Sequence, residues 1–277
     1  MRKLVLTLIC LAALSGAAFA QDDHCDACAT QVGYAVVTAN ITGPNGVAPG
    51  GLVAFETLGF RSQVPALQAG VLSAVMSTRL NLFASASIRV SPNVGVGITN
   101  PALTPAVVTM TLRDSGGHFA ASNILTIGPG QQTAKFISEY FAAVANLTPD
   151  FAGTLTVTSN TPVAIMALLF SGTTFSTIPV NNVSPTTSVP QLTSLIGGSG
   201  AVLLPQFVAG GGWASEIVVL NNGTAPMTVR IDLFSQTGSP MVVTLNHQSA
   251  STFQNLVIPA GGIVVFAPRN ANGDTDF

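Results

Sequence analysis

The chain has 277 residues, of which 48% are hydrophobic and only 7% charged, and its formal net charge is −2. Charged side chains usually make up about 25% of a soluble protein, so Thr, Ser, Asn, Gln and Gly must supply most of the wet surface. No basic patch is available to meet phosphates, which speaks against nucleic acid as a partner.

The first twenty residues, "MRKLVLTLICLAALSGAAFA", begin with Arg2 and Lys3, continue with an apolar run from Leu4 to Leu14, and end on Ala18-Phe19-Ala20. This is the three-part layout of a secretory signal peptide, and its apolar run is too short to span a bilayer. Cys10 lies inside that run, so the lipoprotein arrangement is not met. Cleavage is expected after Ala20, leaving a secreted or extracytoplasmic chain with no membrane span, since no later stretch holds about 18 uninterrupted apolar residues. Without Arg2 and Lys3, seven basic and eleven acidic side chains remain, a net charge of −4. What is left is long enough for one large domain or two ordinary ones.

Residues 21–32 read as a loose segment containing "DDHCDAC" (22–28). His24, Cys25 and Cys28 suit Zn²⁺ or a copper ion. A redox role is less well supported, because no βαβ pattern follows. The plainer reading is a Cys25–Cys28 disulfide formed outside the cytoplasm, since a second pair of metal ligands is missing.

The next segment, "GYAVVTAN" (33–40), is echoed by "GTLTVTSN" (153–160), with Gly33, Val37, Thr38 and Asn40 reappearing as Gly153, Val157, Thr158 and Asn160. "GGLVAFETLGF" (50–60) then corresponds to "TPVAIMALLF" (161–170). The echo continues downstream. "TNPALTPAVVTMTLRDSGG" (99–117) aligns with "LNNGTAPMTVRIDLFSQTG" (220–238), placing Asn100 on Asn221, and Val108, Met110 and Leu112 on Val229, Ile231 and Leu233. "ILTIGPG" (124–130) resembles "NLVIPAG" (255–261), so the later copy carries about ten extra residues near 239–254. The ordered matches predict an internal repeat of roughly 120 residues.

Within each copy the apolar residues alternate. Leu155 and Val157 oppose Thr154, Thr156 and Thr158, and Met227, Val229, Ile231 and Leu233 oppose Thr228, Arg230 and Asp232, as in sheets with one dry face. "PVAIMALLF" (162–170) reads as a strand covered on both faces. Turn signals recur every 8–12 residues, the spacing of a sandwich or barrel. The expected fold is all-β: two antiparallel, Ig-like β-sandwich modules over 80–180 and 201–277, a linker over 181–200, and one short helix near 135–146. Residues 33–60 read as a strand pair that completes the C-terminal module, in the same chain or in a neighbouring one.

"LPQFVAGGGWASEIVVLNNGTAPMTVRIDLFSQTGSP" resembles the opening of an Ig-like or fibronectin-like β-sandwich module found in tandem in exported bacterial proteins. "VGVGITNPALTPAVVTMTLRDSGG" with "FAGTLTVTSNTPVAIMALLF" resembles another copy. The shared residues are turn glycines, strand apolars and an Asn-Pro or Asn-Asn turn, so the resemblance implies a fold and no catalytic residue. A module of this kind would add a Gly-led strand and an apolar strand after "IPAGGIVVFAP", and Phe277 comes before either.

Chemistry is thinly signalled. His24, His118 and His247 stand in unrelated contexts, "GGSG" (197–200) lacks the last glycine of a nucleophile elbow, and "AGGGW" (209–213) lacks the Lys and Ser/Thr of a phosphate loop. "NANGDTD" (270–276) alternates oxygen-bearing side chains but lacks the closing Glu of a calcium loop. No enzyme and no cofactor is therefore expected. The leading reading is a secreted or cell-surface structural or adhesive protein meeting other proteins, glycans or itself. The alternative is a secreted metal- or small-ligand-binding protein using His24, Cys25 and Cys28.

Overall fold

The computed structural model describes residues 34–35, 54–60, 67–87, 93–142, 150–172, 174–183, 202, 204–210 and 214–273. The expected signal peptide, the segment with His24, Cys25 and Cys28, most of the expected strand pair over 33–60 (all of 36–53), most of the 181–200 linker, Trp213 and the last four residues lie outside these.

The described chain is nearly all β. Strands β1 (Phe55–Phe60) and β2 (Leu67–Leu72) form an antiparallel pair with Leu58 opposite Ala69. An eight-stranded curled antiparallel sheet follows, made of β3 (Ser77–Ser87), β4 (Asn93–Thr99), β5 (Ala106–Asp114), β6 (Phe119–Ile127), β7 (Gln132–Phe136), β8 (Asp150–Ser171), β9 (Thr174–Ile178) and β10 (Val180–Asn182).

β8 organises this sheet. The 22-residue strand is flanked by β3 and β5 along Gly153–Thr158, and by β4 and β9 along Ala167–Phe170. Pro162 sits between the two stretches, where an absent amide costs no ladder bond because the partners are changing. A strand that changes partners midway in this way lets the single sheet curl around one core. The sequence predicted two separate strands here. It also predicted cover on both faces of 162–170; Val163, Ile165 and Ala167 are buried on one face and Leu168 on the other, where Ala164 and Met166 are half-buried.

Period-two patterning fills the core. Val94, Val96 and Ile98 of β4, Val108, Met110 and Leu112 of β5, and Leu155 and Val157 of β8 all turn inward with Leu80 and Leu82 of β3. Each such side chain contributes about 1.5–3 kcal/mol on burial. The helix is shorter than expected. Ala134–Phe136 belong to β7, held by β4, and α1 covers only Ile137–Tyr140. Glu139 accepts the Phe136 amide at 2.7 Å and so marks its start. Val180–Asn182 pair with β3, so the expected linker begins after them.

Further along come β11 (Ile217–Leu220), β12 (Met227–Asp232), β13 (Val243–Leu245), β14 (Gln248–Ala250), β15 (Thr252–Ile258) and β16 (Ile263–Phe266). They pair as β11–β16, β12–β15 and β13–β14 over a second core of Ile217, Leu233, Leu245, Phe253 and Phe266. The β13–β14 hairpin occupies the stretch of extra residues. Its two turn residues, Asn246 and His247, both have positive φ (47° and 63°), as a type I′ turn requires.

Candidate interaction surface: asparagine pins, a glycine-lined joint and two open edges

Asn100 is fully buried where β4 ends. Its amide nitrogen donates to the carbonyls of Thr104 (2.8 Å), Ile127 (3.0 Å) and Gly128 (3.0 Å), and its side-chain oxygen accepts from the Ala102 amide (3.1 Å). Its own backbone amide donates to Gln131 at 2.9 Å. Asn221, fully buried where β11 ends, donates to Ala225 (2.8 Å) and Ile258 (3.0 Å), accepts from the Gly223 amide (2.9 Å), and donates its backbone amide to Gly262 (2.9 Å). Each side chain ties a strand end to a turn and to a distant strand with bonds no aliphatic residue could make.

The strand registers around the two pins correspond. Thr99 faces Gln132 as Leu220 faces Ile263, and Val108 faces Leu125 as Val229 faces Leu256. Gly117 (φ 81°) and Gly238 (φ 79°) close matching turns, with the Gly117 amide donating to Asp114 and the Gly238 amide to Ser235, both at 2.9 Å.

A close joint connects the curled sheet to the strands beyond it. The Ile263 amide donates to the Ser115 carbonyl at 3.1 Å, and the Thr154 hydroxyl to the Gly261 carbonyl at 2.9 Å. The Asn81 side-chain amide donates to the side-chain oxygen of Asn222. Glycine makes this approach possible, because a Cβ on Gly117 would collide with the Ala260 carbonyl oxygen. A cleft of roughly 280 Å³ lies in the joint, lined by Arg79, Arg113, Asn222 and Thr224 among others.

No family model matches this chain, and no curated protein matches it by sequence. Among solved structures it is similar to the Anabaena sensory rhodopsin transducer, at 18% identity and a TM-score of 0.27, over 33% of this chain and 95% of that one. So loose a superposition carries no inference about either fold or function.

The two halves differ at their edges. β4 and β5 both pair with β8, whereas among the described residues β11 pairs only with β16 and β12 only with β15. The consequence is visible in burial: Val108 and Met110 are fully enclosed, while Val229 and Ile231 are half-buried and Met227 is exposed.

The residues singled out from sequence do not converge. His24, Cys25 and Cys28 lie outside the described residues. His118 Nδ1 approaches Asp114 at 3.2 Å on an exposed turn, and His247 sits at the β13–β14 hairpin tip. In the tail, Asn270 Oδ1 accepts the Asn272 amide at 2.9 Å as a local turn. Among the described residues no three His, Cys, Asp or Glu side chains gather as a metal would need. Among the described residues three titratable groups are shifted, Tyr140, Arg230 and Asp232. Burial pushes the Tyr140 phenol above its ordinary value, and its hydroxyl donates to the Val96 carbonyl at 3.2 Å. The Asp232 carboxyl is lowered by its hydrogen bond from Arg230, a surface pair at 2.8 Å. Gly153 was visible in the sequence only as part of an echo. Its role is packing, since a Cβ there would collide with the Arg113 carbonyl oxygen.

Proposed function

We propose that this is a secreted or cell-surface structural or adhesive protein, built from two β-sandwich modules of Ig-like type that arose by internal duplication, acting through contacts with other proteins or glycans. One observation carries the reading. The buried pins Asn100 and Asn221 hold equivalent carbonyls, and the strand registers around them match at the spacings of the sequence echo. Independent modules joined by chance would not share buried hydrogen bonds residue for residue. The leader-like first twenty residues support export.

A protein of this kind works by presenting faces at fixed spacing, and the joint supports that role because its backbone contacts leave little room for bending. The outer face of β5, β6 and β8 offers Thr109, Thr111, Thr156 and Thr158 with exposed Val107 and Ile124 among them. Hydroxyls beside small apolar patches suit sugar rings and other proteins, and require no charge. The mature chain on glycan and extracellular-matrix arrays should bind a discrete subset, and Ile124→Arg with Thr158→Arg should abolish the signal. Binding to none of them, with one zinc or copper ion held per chain, would favour the alternative based on His24, Cys25 and Cys28.

A further inference from the structure

We propose that the edges of β11 and β12 that have no partner strand among the described residues receive the N-terminal strand segment, residues 33–60, of a second copy of this chain, so that molecules join head to tail. The inference rests on the duplicated-module reading and names its partner. In the curled sheet one strand, β8, fills both corresponding edges. Two of its residues serve that docking specifically: Gly153 lets Arg113 approach, and Asn160 accepts the Val107 amide at 2.8 Å. Both residue types are disfavoured in strands. "GYAVVTAN" nevertheless carries Gly33 and Asn40 at the two matching positions, with Val37 and Thr38 between them. A segment selected only to be a strand would have no use for either.

The direction comes from Tyr34. Thr154, near the start of β8, donates to the Gly261 carbonyl of the following half, and Tyr34 donates in the same way to the Gly130 carbonyl at 3.1 Å. Gly130 and Gly261 occupy matching turns, with φ of 62° and 69°. Tyr34 therefore meets the curled sheet as that sheet's own β8 meets the next half. In the sequence, the segment it begins precedes the curled sheet by one repeat, whereas the edges of β11 and β12 follow it by one repeat. A neighbouring molecule set one step along the same axis brings its own segment onto those edges.

The surfaces of the joint recur at both ends. Gly238 has the turn conformation of Gly117, with open space where Gly117 meets Ala260. Within the molecule, Arg113 and Thr224 share the polar joint cleft. Their counterparts at the two ends are Phe234, 42% exposed, and Leu103, 94% exposed. The polar pair of the internal joint is thus replaced by two apolar side chains that the head-to-tail contact would bury together. Such a joint has no two-fold axis and continues into an open chain.

Thr158 faces Thr109 in the β8–β5 register, so Thr38 should face Arg230 of the next molecule. Mature chains carrying Cys25→Ser and Cys28→Ser, one with Thr38→Cys and the other with Arg230→Cys, are mixed under oxidising conditions. A disulfide-linked heterodimer is expected in the mixture and no dimer from either chain alone. A chain bearing both substitutions should give a ladder of covalent multimers. If it instead closes only on itself, each chain completes its own edges and the proposal fails. It fails equally if the wild-type mature chain sediments as a monomer at every concentration. Leu103→Asp, on a fully solvated side chain, and Asn40→Ala should each weaken association at least about tenfold. Unchanged association in both would overturn it. A monomer that still binds the arrays would leave the proposed function standing and sink only this inference.

Discussion

Asn100 and Asn221 show how a single residue type can decide a local structure. Each uses a side-chain amide to satisfy backbone carbonyls that no strand partner reaches. Replacing either with Ala removes those donors without admitting water, and should cost about 2–4 kcal/mol. Replacing either with Asp should cost at least as much, because a carboxylate would face carbonyl oxygens with nothing to donate. Chemical denaturation of the single variants checks both, and an Asp variant as stable as the wild type would contradict the assigned bonds. Tyr140 gives a pH prediction. Burial raises its phenol above the ordinary tyrosine value, so the neutral form is favoured in the folded state. Its contribution is fully present below the unfolded phenol value and is lost as pH rises through the folded one. Stability should therefore fall in strong alkali, and Tyr140→Phe should remove that part of the fall. Sequence order made the asparagine match legible. The acceptors were not legible, because Ile127 and Ile258 lie 27 and 37 residues away.

At the scale of elements, β8 holds most of the curled sheet together. Its first stretch alternates apolar and polar residues and its second is a continuous apolar run, which made both readable as strands, but neither pattern can report that one strand changes partners midway. Pro162, where the second of the two predicted strands begins, lies inside a single strand at the point where its partners change. The helix was overestimated for a related reason: Phe136 and Tyr140 are four apart, yet the ladder between β7 and β4 claims Ala134–Phe136 first. Gly153 sets how closely β8 approaches β5. Gly153→Ala would drive a methyl group into the Arg113 carbonyl and should destabilise the curled sheet by about 2–4 kcal/mol. A thermal melt resolves a change of that size, and an unchanged midpoint would mean that the close approach is not obligatory.

For the whole molecule, the central contrast is between a filled edge and an open one. The amides of Val107, Thr109 and Thr111 lie along the edge of β5 that β8 fills, and the Val107 amide is bonded to Asn160. Their counterparts on β12 begin with Thr228 and Arg230, for which the described residues provide no strand on that side. The all-β class was legible from patterning. The expectation that residues 33–60 complete the C-terminal module already pointed to missing partners there, while the pairing that does form, β11 with β16 and β12 with β15, needed the structure. Residue-resolved amide hydrogen exchange of the mature chain, followed from dilute to concentrated solution, is the most direct measurement. The amides of Thr109 and Thr111 should be protected throughout, while those of Thr228 and Arg230 should exchange quickly when dilute and become protected as concentration rises. Equal protection of β5 and β12 in the dilute monomer would contradict an open second half.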